Sequence, residues 1–99
     1  MIQKQHLKSR PVCKVTFELP DHYEAERLEL CSDVNGWEPI PFKRLKNGKW
    51  KLQLDVAPGS QLQFRYRGHR SDSQWWDNDP SADDFVLNTF GSKNCVLVC

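Results

Sequence analysis

Residues 12–19 alternate strictly, with Val15, Phe17 and Leu19 on one side and Lys14, Thr16 and Glu18 on the other. A period of two predicts a half-buried antiparallel strand. Pro20 and Asp21 end it, since proline has no N–H to give a sheet ladder. Leu28 and Leu30 alternate with Arg27, Glu29 and Cys31 and predict a second strand. The pattern is plainest over residues 49–56, where Trp50, Leu52, Leu54 and Val56 share one face and Lys49, Lys51, Gln53 and Asp55 the other. Leu62, Phe64 and Tyr66 then alternate with Gln63, Arg65 and Arg67, and the apolar residues 95–99 close the chain as a final strand.

Turn chemistry separates these runs. Residues 32–41 hold Asn35-Gly36-Trp37 and two prolines, and Pro58-Gly59 makes another turn. Asn47-Gly48 is a hairpin signal, because both residues tolerate positive φ. A strict two-residue loop there would put Phe42 outside, so a bulge or a longer loop is expected. Residues 68–74 are polar and read as a loop. Ala25, set among charged residues, supports one helical turn at most. The expectation is an all-β antiparallel sandwich or barrel of about seven strands. It forms a single domain over residues 12–99, preceded by a polar extension over residues 1–11.

A chain of 99 residues suits one domain and leaves no room for a (β/α)₈ catalytic barrel, which takes about 250. Its formal charge of +1 argues against a dedicated nucleic-acid binder. No stretch approaches the roughly 20 apolar residues that cross a bilayer as a helix. The polar N-terminal residues do not resemble a secretion signal, so a cytoplasmic setting is expected. In such a setting Cys13, Cys31, Cys95 and Cys99 read as free thiols, the first three buried in strands. A disulfide or metal site is the alternative, with Cys13 and Cys31 as possible neighbours, but no C-x-x-C pair supports zinc.

The chain holds four tryptophans, in unequal settings. Trp50 belongs to the core face of its strand. Trp37 sits in a turn-rich loop, and Trp75 and Trp76 follow a polar stretch and precede Asp77-Asn78-Asp79-Pro80. An indole held at a strand end offers a flat apolar face to the axial C–H groups of a sugar ring. Arginine, asparagine and serine nearby supply hydrogen-bond partners for hydroxyls. The ordinary alternative is that these indoles fold back and cap the sandwich. Arg65 lies on the outer face by alternation, and Asn94 follows the turn Gly91-Ser92-Lys93; each has a plain surface reading too. Asp77, Asp79, Asp83 and Asp84 lack the glycine and distal glutamate of a calcium loop, so no metal and no cofactor are expected. His6, His22 and His69 are scattered without a nucleophile pattern. Lys43, Arg44, Lys46, Lys49 and Lys51 read as a solvated sheet face.

Taken in order, these segments resemble the early-set domains of carbohydrate-binding module family 48. That family includes the N-terminal domains of glycogen branching and debranching enzymes and the glycogen-binding domain of the AMP-activated protein kinase β subunit. The matching pieces run from Lys14-Val15-Thr16-Phe17 through Asp33-Val34-Asn35-Gly36-Trp37, Gly48-Lys49-Trp50, Pro58-Gly59 and Phe64-Arg65-Tyr66. They end on Trp76-Asp77-Asn78-Asp79-Pro80 and Phe90-Gly91-Ser92-Lys93-Asn94. The resemblance implies an immunoglobulin-like early-set β-sandwich that binds an α-1,4-glucan such as glycogen or a maltooligosaccharide and catalyses nothing itself. By the same resemblance the sugar site falls on Trp37, Arg65, Trp76 and Asn94, with Trp75 and Ser92 as further candidates. Val34 and Ser32 depart from the family's phenylalanine and glycine, and residues 68–74 replace its short Asp-Gly turn. The implied partners are the glucan and a glucan-processing enzyme, with no nucleic acid and no membrane. The alternative is an interaction or regulatory early-set domain, associated with glycoside hydrolase family 13 enzymes, that keeps the fold without the sugar site.

Overall fold

The computed structural model describes residues 2–20 and 25–99, so the strand stop at Asp21 and His22 lie outside the described residues. Among the described residues ten antiparallel strands build two sheets: β1 (Ile2–His6), β2 (Cys13–Leu19), β3 (Arg27–Ser32), β4 (Ile40–Pro41), β5 (Lys43–Arg44), β6 (Trp50–Val56), β7 (Gln61–Arg70), β8 (Ser73–Asp77), β9 (Asp84–Leu87) and β10 (Lys93–Val98). The first sheet has the order β1-β2-β6-β5, and the second β4-β3-β7-β10-β9, with β8 also on β7. The fold is an all-β sandwich.

The alternation seen along the chain becomes the inner faces. Val15, Phe17 and Trp50 of the first sheet meet Leu28, Leu30, Leu62, Phe64, Tyr66 and Leu97 of the second, all buried. Leu52 and Leu54 are only partly buried against this core. Phe17 meets Phe64 edge-on with centroids 5.3 Å apart, and Phe42 meets Tyr66 at 5.7 Å, the geometry that aromatic quadrupoles favour. All four cysteines are free. Cys13 and Cys99 are the adjacent pair, and burial together with the Cys13 thiol pushes the Cys99 pKa up to about 11.

Phe42 reaches the core because the Asn47-Gly48 hairpin is longer than two residues. Leu45 and Lys49 close it, Gly48 takes φ 87°, and Asn47 accepts from the Lys49 amide at 3.0 Å.

Two readings of the chain change. Residues 2–6, expected as part of a polar extension, pair along β2 as an edge strand. An exposed edge strand needs backbone pairing but no apolar side chains, so the pattern gave no sign of it. Residues 68–74 are not a loop. β7 continues to Arg70 and β8 begins at Ser73, joined by a tight turn in which Ser71 takes φ 52°. The alternation persists there, but the inward position falls on Gly68, which has no side chain to signal it. Trp75, across the pair, supplies the missing apolar surface by lying on Gly68.

Candidate functional site

β7 organises the site. β3 occupies one of its edges. The other is shared, with β10 pairing along residues 61–64 and β8 along residues 66–70. Where β8 leaves and β10 begins, the outer face of the second sheet opens into a cavity of about 940 Å³. Its wall is formed by Gln63 and Arg65 of β7, Trp76 of β8, Asn94 of β10, Trp37 of the β3–β4 loop, and the β9–β10 hairpin with Leu87, Asn88, Thr89, Phe90 and Ser92.

Trp37 is placed by a 3₁₀ turn over Asp33–Asn35. The Ser32 hydroxyl accepts from the Val34 amide at 3.2 Å, and Gly36 ends the turn in the left-handed region. Trp37 then also takes a left-handed φ of 68°, with its amide donating to the Ser32 carbonyl at 2.7 Å. The Asp33 carboxylate accepts from the Gln63 amide at 2.9 Å and moors this turn to β7. A left-handed non-glycine residue costs about 1 kcal/mol, and such strain gathers at functional positions. Here it holds an indole at 39% exposure instead of folding it into the core.

Trp76 sits within strand β8, not on a loop, opposite Arg67 on the outer face. The guanidinium carbons of Arg65 and Arg67 lie 5.5 and 5.7 Å from its ring centroid. Cation–π attraction to two arginines steadies the ring while leaving it 45% exposed. Arg67 is fixed in turn by Glu29, whose Oε1 accepts from Arg67 Nε at 3.0 Å and lies 2.5 Å from His69 Nε2. Burial alone would raise the Glu29 pKa, but the hydrogen bonds of His69 and Arg67 outweigh it and hold the carboxyl below its ordinary value. Trp75 points the other way, packed against the core and over Gly68. It takes no part in the cavity wall.

The polar floor is an amide relay. Asn88 Nδ2 donates to Asn94 Oδ1 at 3.0 Å, and Asn94 Nδ2 donates to Gln63 Oε1 at 3.1 Å. Asn94 is 6% exposed, so it stands behind the surface that Asn88 and Gln63 present. Asn88 also orders the hairpin tip, its Oδ1 accepting from the Phe90 and Ser92 amides at 2.9 and 3.1 Å. That turn leaves Phe90 91% exposed over the cavity.

A second polar link steadies the junction. Asn78 Oδ1 accepts from Arg65 Nε at 3.2 Å, and Asn78 Nδ2 donates to the Lys93 carbonyl at 2.9 Å. Behind it, the buried Asp79 accepts from the Tyr66 hydroxyl at 2.6 Å and from the Ser81 hydroxyl at 2.6 Å. Burial would raise the Asp79 pKa; the hydrogen bonds of Ser81 and Tyr66 more than reverse that and lower it. Among the described residues no group of three or more acidic, histidine or cysteine side chains gathers as a metal site.

Known structures share this architecture. Two pullulanase variants from Paenibacillus barengoltzii, one complexed with maltotriose and one with maltotetraose, each superpose with a TM-score of 0.61 over 85% of this chain at 24% identity. The likeness is one of fold. This chain spans 13% of the length of each pullulanase chain. No protein-family sequence profile matches the chain, and no curated protein matches it in sequence.

Trp37, Arg65, Trp76, Asn94 and Ser92 therefore line one cavity, while Trp75 lies apart from it. Gln63, Leu87, Asn88, Thr89 and Phe90 join the wall without having been singled out by residue type. Gln63 was within reach, since it shares the outer face of β7 with Arg65 at a spacing of two. Phe90 and Leu87 carried a fainter signal, as apolar residues flanking the polar turn Asn88-Thr89. No helix among the described residues is long and apolar enough to cross a membrane.

Proposed function

We propose that this domain is a non-catalytic binding module for α-1,4-glucans. The observation that carries the reading is that Trp37 and Trp76, far apart in sequence, open onto the same cavity with both rings substantially exposed. Two indoles at one opening offer stacking platforms to successive glucose units of a curved chain, and Arg65, Gln63 and Asn88 stand beside them for hydroxyls. Glycogen and maltooligosaccharides are the proposed ligands, with a glucan-processing enzyme as the associated protein. The cavity wall contains no carboxylate among the described residues, so nothing on it resembles the acid and base pair of glycoside hydrolysis. The pullulanases of the same fold were crystallised with maltooligosaccharides, which agrees with this ligand class.

With few contacts and an open groove, single-site affinity is expected in the range of roughly micromolar to millimolar. The direct test is co-sedimentation with glycogen, together with titration of tryptophan fluorescence by maltoheptaose or β-cyclodextrin. Trp37→Ala and Trp76→Ala should each stay folded and lose binding.

Leu87 and Phe90, both strongly exposed, favour a second reading in which the hairpin tip docks a protein. Wild-type protein that ignores glycogen and cyclodextrin alike would move the assignment to that reading.

A further inference from the structure

Of the side chains that line the cavity, Arg65 alone is charged, among the described residues. Its neighbour Arg67 makes the informative contrast. Arg67 spends its charge on Glu29, with Nη2 2.9 Å from Oε1, and His69 shares the same carboxylate oxygen. Among the described residues Arg65 forms no such ion pair: its contacts include the neutral Asn78 side chain, through Nε, and the Trp76 ring. One guanidinium under the same indole is neutralised and the other is left to the cavity.

A neutral glucan does not need that arrangement. A hydroxyl accepts one ordinary hydrogen bond from a guanidinium, whereas a phosphate accepts two parallel ones and meets the charge as well. Nε is committed to Asn78, which leaves the two terminal nitrogens as the donor pair. Cation–π contact with the Trp76 ring, 5.5 Å away, holds that pair beside the indole. The hairpin residues on the cavity wall add the neutral hydroxyls of Thr89 and Ser92, and no carboxylate among the described residues stands on that wall to repel an anion.

From this we infer, resting on the α-glucan reading above, that the cavity selects α-glucans bearing a phosphate monoester, with Arg65 as the group that receives the phosphate. Trp37 and Trp76 hold the glucose rings, and Arg65 reads the substituent.

The test compares a phosphorylated maltodextrin fraction with the same fraction after alkaline phosphatase, by fluorescence titration of the full chain. At low ionic strength phosphatase treatment should weaken binding by roughly tenfold or more, the scale of a charge-assisted bidentate contact. About half-molar salt should close most of that gap, since screening acts within a few ångströms there. Arg65→Gln should bind both fractions equally. Arg67→Gln should bind more weakly overall but keep the gap, because its charge is already met by Glu29. Inorganic phosphate should compete away the extra affinity without displacing the dephosphorylated fraction.

Equal wild-type affinity for the two fractions overturns the inference and leaves the α-glucan reading in place, as does a gap that survives Arg65→Gln. Failure of both fractions to bind overturns both.

Discussion

Trp75 and Trp76 are neighbours in sequence on β8, yet one serves the inside of the sandwich and the other its outside. Trp75 lies on the bare backbone of Gly68, where a Cβ would come within 2.5 Å of its ring atom Cε2. Trp76, one residue on, rests on two arginines and opens into the cavity. The inner face is held by shape and burial, which tolerate no added volume. The outer face is held by electrostatic bracing, in which Glu29 orients Arg67 and Arg67 steadies an indole that remains wet. Stability is thus carried by the inner side of these two strands and the proposed recognition by the outer, and substitutions should separate them.

The largest separation is expected at Phe64, wholly buried between Phe17 and Tyr66. Phe64→Ala should cost about 3–5 kcal/mol in chemical denaturation, as a large cavity in a small core. A mutant as stable as wild type would break the assignment of this face to stability. Gly68→Ala should cost less, about 1–3 kcal/mol, because the new methyl must displace the Trp75 ring. The cost should shrink in a Trp75→Ala background, where the ring is gone, and a double-mutant cycle measures that coupling.

On the outer face the sign of the separation reverses. Trp76→Ala should leave the unfolding midpoint nearly unchanged while weakening glucan binding by about 1–3 kcal/mol, the scale of one buried aromatic platform. Trp75→Ala should do the opposite. A Trp76→Ala protein that still sediments with glycogen would sink the division between the two faces.

Acid should loosen the junction between them. Asp79 has its pKa lowered in the folded state, so its contribution is complete above the unfolded carboxyl value of about 4 and is lost as pH falls through the folded value. Glu29 acts in the same direction. Thermal melts taken downward from neutral pH should fall below about pH 4, and Tyr66→Phe should reduce the part of that fall due to Asp79.

The smallest effect sharpens the comparison most. Trp37→Gly removes a side chain from a left-handed position, so stability should hold or rise by as much as about 1 kcal/mol while binding is lost. A clear loss of stability would mean that Trp37 supports the sandwich instead of the site.

By itself the sequence determined the sandwich and the core stripe of each long strand, because period-two alternation is a local property of side chains. It also placed Arg65 outside, and the resemblance to known sugar-binding domains singled out Trp37, Trp76 and Asn94. Only the tertiary structure decided three further matters. It drew β1 and the end of β7 into the sheets, since backbone pairing at an edge or at a glycine leaves no apolar mark in the chain. It separated Trp75 from Trp76, since that choice depends on which residue lies across from Gly68. And it joined the β9–β10 hairpin to the site through the Asn88–Asn94–Gln63 relay, since those amides meet through long-range pairing that no local spacing encodes.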